Sequence, residues 1–194
     1  MRQTSNVARS GKVSAQLNFS LRPVIHEGAE VITAFPASLP PGLLIGATIV
    51  LFMMLLAISL IDIKRLRIPD KLSLPLIAVG LALAVLSSRT AALDHAIGAA
   101  AAFLLFAGLG EAFFRFRGID GLGLGDAKLF AAAGAWLGWQ NLPLVLLLAS
   151  VGGLIQALLW QKPQAQLAFG PWIALAMGLV WTSMHIMGSS GLNH

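Results

Sequence analysis

From Gly42 to Ile61 the chain runs for 20 residues without a charged side chain. A helix rises about 1.5 Å per residue, so this run measures about 30 Å, the thickness of a bilayer's hydrocarbon core. Inside that layer a backbone must satisfy its own N–H and C=O groups, which leaves only helices and closed barrels. The run is continuously apolar and does not alternate, so it reads as a helix and not a barrel strand. Comparable segments follow at Leu72–Leu86, Ala91–Phe114, Ala127–Trp139, Leu142–Trp160 and Phe169–Met187. The fold class expected is therefore all-α, a polytopic membrane protein with about six transmembrane helices. Composition agrees, since only 11% of the 194 residues are charged, against about 25% in soluble domains. So few charges could not cover a water-facing surface.

Residues 1–40 are polar and aperiodic, and lack the apolar core and small-residue cleavage site of a signal peptide. They read as a flexible tail or an over-extended start. The membrane domain is expected over 41–188, with a short tail at 189–194. Small residues within the segments, such as Ala99–Ala102 and Ala131–Gly134, suit close helix packing in lipid. Pro75, near the start of the second segment, fits a helix's first turn. Met53, Met54 and the tryptophans read as core and interface belt.

The formal charge is +5, but the basic residues sit in short loops and read as orientation signals and lipid contacts, not as a nucleic-acid surface. Lys64, Arg65, Arg67 and Lys71 lie between segments 1 and 2. Arg115, Arg117 and Lys128 flank the third loop, and Lys162 lies between segments 5 and 6. Arg89 stands alone between segments 2 and 3, and the loop between 4 and 5 has no basic residue. The basic loops are thus expected at the cytoplasmic face and both termini outside.

No cysteine is present, which removes disulfides, thiolate metal sites and cysteine nucleophiles. No metal or cofactor is expected. Acidic residues are few, and two stand at segment edges: Asp62 closes the first and Asp126 opens the fourth. Both fall on the inferred cytoplasmic side. A carboxylate at a bilayer edge is costly and is a functional candidate. Two brought close share a proton, so one can take a proton from water while the other protonates a leaving amine. Gly121, Gly123 and Gly125 give the chain before Asp126 conformational freedom and room for a peptide backbone to approach. The helix dipole at Asp126 favours its ionised form, which makes it the expected ionised member of the pair. Taken singly, these features have plainer readings. Asp62 could be an N-cap or an interfacial group, and Gly-x-Gly-Asp a tight turn capping a helix. Lys128 suits an interfacial anchor or phosphate contact. His95 and His185, isolated in apolar segments, suit packing or interhelical hydrogen bonding.

In combination the motifs say more. The stretch from Ile61 to Leu72, an Asp followed by basic residues and Ile68-Pro69-Asp70, resembles the first aspartate motif of type IV prepilin leader peptidases. Gly121–Leu129 resembles the family's second motif, Gly-x-Gly-Asp-x-Lys, and Gly134–Gln140 and Phe169–Trp172 are also similar to it. The resemblance runs over about Leu43–Gly178. It implies an aspartic endopeptidase of the bacterial inner membrane, with Asp62 and Asp126 as catalytic pair. Such an enzyme cuts the basic leader from type IV prepilins or secretion pseudopilins at the cytoplasmic face. Gly123, Gly125 and Lys128 would line the substrate path, and Asp70 and Asp120 would attract the basic leader. Larger members carry a cytoplasmic segment with paired zinc-binding cysteines, associated with N-methylation. This sequence shows neither, so peptidase activity alone is expected.

Two rivals remain. One is another Gly-x-Gly-Asp intramembrane protease, although the Pro-Ala-Leu motif of the presenilin type is not seen. The other is a non-catalytic scaffold or carrier subunit, although no repeat relates the two halves.

Overall fold

The computed structural model describes residues 39–117, 123–159 and 168–190, the side chains of 117 and 186–190 excepted. Outside the described residues lie the tail up to residue 38, Asp120 and Gly121 in the glycine loop, Lys162, and residues 191–194.

The described residues form six α-helices: α1 (Pro41–Arg65), α2 (Asp70–Ser87), α3 (Arg89–Arg117), α4 (Leu124–Leu137), α5 (Leu142–Leu159) and α6 (Gly170–Ser190). A 3₁₀ turn, Trp139–Asn141, precedes α5. Among the described residues, four stretches can cross a membrane by length and composition: α1, α2, α3 and the 3₁₀ turn with α5. The protein is an all-α polytopic membrane protein. Its outer faces are apolar, as at Ile45, Met53, Leu104 and Leu158; in water this would be a liability, and in lipid it is what the solvent requires. Met54 packs against the core while Met53 faces outward.

Helix α1 starts with Pro41 in its first turn, where a missing N–H costs nothing. It runs one turn past the segment edge read at Ile61, so Asp62 lies in its last turn and not beyond it. Lys64 and Arg65 sit where the helix dipole is negative. Leu66 then adopts left-handed backbone (φ 51°) and donates its N–H to the Asp62 carbonyl at 2.7 Å, which ends the helix. Extended Pro69 leads directly into α2. Because α2 takes in Asp70 and Lys71, Pro75 lies inside the helix, beyond the first turn where the sequence places it. Its lost N–H leaves one backbone carbonyl of the preceding turn without a helical partner.

Helix α4, with 14 residues, spans only about 21 Å. Ala127 and every residue from Leu129 to Leu137 are buried. A helix apolar all round belongs in the interior, and α4 packs against α3, α2 and α6. Its close approach to α3 depends on two glycines. A Cβ at Gly134 would come within 2.6 Å of the Ala99 nitrogen, and one at Gly98 within 2.8 Å of the Trp139 nitrogen. Phe130 of α4 stacks on Phe106 of α3, ring centroids 4.0 Å apart. Trp136 donates its indole N–H to the Leu76 carbonyl at 2.8 Å and meets Trp181 edge-on at 5.3 Å. The central helix is thus locked to α2, α3 and α6, and its first turn is carried by that scaffold.

Candidate active site

Asp62 is the only acidic side chain buried among the described residues, with 5% of its surface exposed. Its Oδ2 accepts a hydrogen bond from the Gly170 N–H, the first of α6, at 3.0 Å. The side chain therefore caps another helix, 108 residues away in sequence. An N–H at a helix start has no partner within its own helix, and the carboxylate supplies one.

Ile68, in the turn between α1 and α2, connects this point to α4. Its Cδ1 would lie 3.3 Å from a Cβ at Gly170, and its Cβ 2.9 Å from a Cβ at Gly125. Asp126 follows as the third residue of α4, its N–H bonded to the Gly123 carbonyl at 3.0 Å. Aromatic contacts make a parallel connection, for Phe130, one turn after Asp126, meets Phe169 at 6.4 Å, next to Gly170. The end of α1 and the starts of α2, α4 and α6 thus gather at one end of the bundle. Asp62 and Asp126 lie within electrostatic reach of each other.

Asp126 lies outside the four stretches able to cross a membrane. Burial, and secondly the charge of Asp62, push its carboxyl up from 3.8 to about 6. The place of Asp126 in a first turn does not by itself set its ionisation. Desolvation and a neighbouring like charge outweigh the partial charge of the helix end.

The expected substrate contacts are placed unevenly. Lys128 and Asp70 form an ion pair, Nζ to Oδ1 2.6 Å, tying α4 to the first turn of α2. Asp70 thus faces solvent as a partner of Lys128. Gly125 leaves room that Ile68 takes up, whereas Gly123 is exposed, with the Asp126 Oδ2 3.8 Å from a would-be Cβ. Asp120 lies outside the described residues. His95 accepts burial by bonding the Ala135 carbonyl at 2.9 Å, at the far end of α4. No group of three His, Cys, Asp or Glu side chains gathers among the described residues. Sequence reasoning gave Gly170, Phe169 and Ile68 no role at the site. The signal was a Gly-Pro pair at a helix start directly after a polar loop.

Fold and site together define a class: polytopic α-helical membrane proteins with an aspartate pair assembled from the ends of two helices. The model of the type IV leader peptidase family matches residues 49–158, more than half of the chain, and the chain belongs to that family. Among its relatives are proteins named prepilin leader peptidase/N-methyltransferase. The one from Pectobacterium carotovorum subsp. carotovorum is 40% identical over 140 residues, 70% of this chain and 50% of the relative. That from Dickeya chrysanthemi is 41% identical over 147 residues, 72% of this chain and 52% of the relative. That from Escherichia coli (strain K12) is 38% identical over 157 residues, 75% of this chain and 67% of the relative. The chain spans about half the length of the first two. No solved structure gave a significant match.

Proposed function

We propose that this protein is a membrane-embedded aspartic endopeptidase that removes the basic leader from type IV prepilins or pseudopilins at the cytoplasmic face of the inner membrane. The observation that carries the proposal is that Ile68 packs against both Gly170, which bonds Asp62, and Gly125, which precedes Asp126, so that the end of α1 and the start of α4 lie at one end of the bundle. Membership of the leader peptidase family supports it, and so do the names of the relatives, which specify prepilins.

The chemistry follows from the pair. With one proton between them, the ionised carboxylate takes a proton from water as the water oxygen attacks the scissile carbonyl. The protonated carboxyl then donates its proton to the departing amine as the C–N bond breaks. The pair finishes with one proton, as it began, and no metal or covalent intermediate is needed. The proton belongs to the pair, and the Asp126 carboxyl, raised to about 6 by burial and by Asp62, is a member able to hold and donate it. Exposed Gly123 offers a path along which an extended leader can lie. Asp70 and Asp120, the latter outside the described residues, would attract the basic leader, and Lys64, Arg65 and Arg67 would mark the face at which the cut is made.

The test is co-expression with candidate prepilins, reading leader removal by intact mass, for wild type, Asp62→Ala and Asp126→Ala. Wild type should release the leader and both variants should leave it attached. Leader removal by either variant would refute the pair as the catalytic machinery. A wild type that cuts no prepilin would refute the substrate class.

A further inference from the structure

Gly170 stands outside the aspartate motifs, yet its backbone meets the Asp62 carboxylate directly. Two observations define the contact. The N–H is 3.0 Å from the Asp62 Oδ2. A Cβ on the same residue would come within 2.6 Å of that oxygen and 3.1 Å of the carboxyl carbon. Contacts under 3.0 Å are not met by real Cβ atoms, so any side chain at 170 must displace either the carboxylate or the start of α6. Ile68 closes the alternative direction, 3.3 Å from the same point. The glycine is required by space and not by φ, because its backbone is not in the left-handed region.

We infer that Gly170 is a positioning residue for the aspartate pair: its N–H holds one oxygen of Asp62 so that the other is presented to the attacking water and to Asp126. The inference rests on the peptidase reading for its catalytic consequence, while the contact itself is independent of it. An oxygen that accepts from an N–H cannot carry a proton directed at that N–H. The Gly170 bond occupies one lone pair of Oδ2 and so favours Oδ1 as the oxygen that exchanges a proton. Pro171 reinforces the geometry. Lacking an N–H of its own, it leaves Gly170 as the sole donor of the two residues that open α6. Phe169 anchors the turn through Phe130, in the helix that carries Asp126. One short segment, Phe169-Gly170-Pro171, thus references both carboxylates to each other.

The inference is tested with full-length protein in two ways. Kinetically, Gly170→Ala should lower kcat for leader removal by about 100-fold, the scale expected when a reacting group is misplaced by about 1 Å, with KM unchanged. Gly46→Ala, at a site with open space, should keep wild-type rates and serves as the control for glycine replacement in a helix. An unchanged kcat in Gly170→Ala, with wild type active, would overturn the positioning role and leave the peptidase reading standing. Spectroscopically, Phe-Gly occurs once in the sequence, at Phe169-Gly170. Labelling Phe with ¹³C at the carbonyl and Gly with ¹⁵N isolates the Gly170 amide. Its proton should move upfield in Asp62→Asn, where a neutral amide replaces the charged acceptor. An amide that ignores this substitution would overturn the inference, whether or not Gly170→Ala folds and whatever the substrate proves to be.

Discussion

Replacing Asp126 by Asn should abolish leader cleavage and, above neutral pH, make the protein more stable. Burial and the charge of Asp62 raise the Asp126 carboxyl from 3.8 to about 6. The folded state therefore binds this proton more tightly than the unfolded state. Between pH 3.8 and about 6 the unfolded chain holds fewer protons at this site, so the slope of unfolding free energy with pH is negative. The stabilisation from Asp126 is complete below the unfolded value and is lost as pH rises through about 6. A shift of about two pH units corresponds to about 3 kcal/mol. The side chain is only partly buried, so solvent screening reduces this to ~1–3 kcal/mol. Asp126→Asn keeps the shape and removes the ionisation. It should thus match wild type near pH 3.5 and exceed it at pH 8 by about 2–12 °C in Tm, at roughly 2–4 °C per kcal/mol for a chain of this size. The assay is thermal unfolding in detergent micelles at the two pH values, followed by the fluorescence of buried Trp136 and Trp181. Equal Tm values at pH 8, or a difference independent of pH, would refute the reasoning.

Three further outcomes are expected. Gly134→Val places atoms against the backbone of Gly98 and Ala99 and should cost about 1–3 kcal/mol by overpacking, read as a fall in Tm with no pH dependence. Reversing Lys128 or Asp70 alone should cost no more than about 1 kcal/mol, because the pair is partly exposed. The double reversal, Lys128→Asp with Asp70→Lys, should recover most of it in a double-mutant cycle. As the chain has no native cysteine, single replacements report orientation directly. Arg67→Cys should react with an impermeant thiol reagent only from the cytoplasmic side, and Ser88→Cys only from the opposite side.

Much of the fold was open to reading because lipid removes alternatives. Continuous apolar runs must be helices, and each expected segment corresponds to one of α1 to α6. The ends were less legible. Asp62 and Lys64 are polar, so the sequence suggests a turn, but α1 continues to Arg65 because nothing breaks it before Leu66 turns left-handed. Likewise the burial of α4 shows only in its shortness, since an apolar run has the same composition whether it faces lipid or protein. At the site, Asp62 and Asp126 stood out as carboxylates in an apolar chain. Gly170 did not, because its contribution is a backbone N–H and an absent side chain: its Gly-Pro pair marks a helix start and not what that N–H caps. The upward shift of Asp126 was hidden for a related reason. The helix end is visible in the sequence, but the desolvating neighbours are supplied by tertiary packing.

The bond between Asp62 and Gly170 has a temporal meaning. During synthesis Asp62 enters the membrane while Gly170 has yet to be translated, and the 108 residues between them take roughly 5–20 s at ~5–20 residues per second. Throughout that interval the aspartate lacks the amide that aligns it. Until then Asp62 stands without its cap, and the docking of α6 is the step that completes its surroundings.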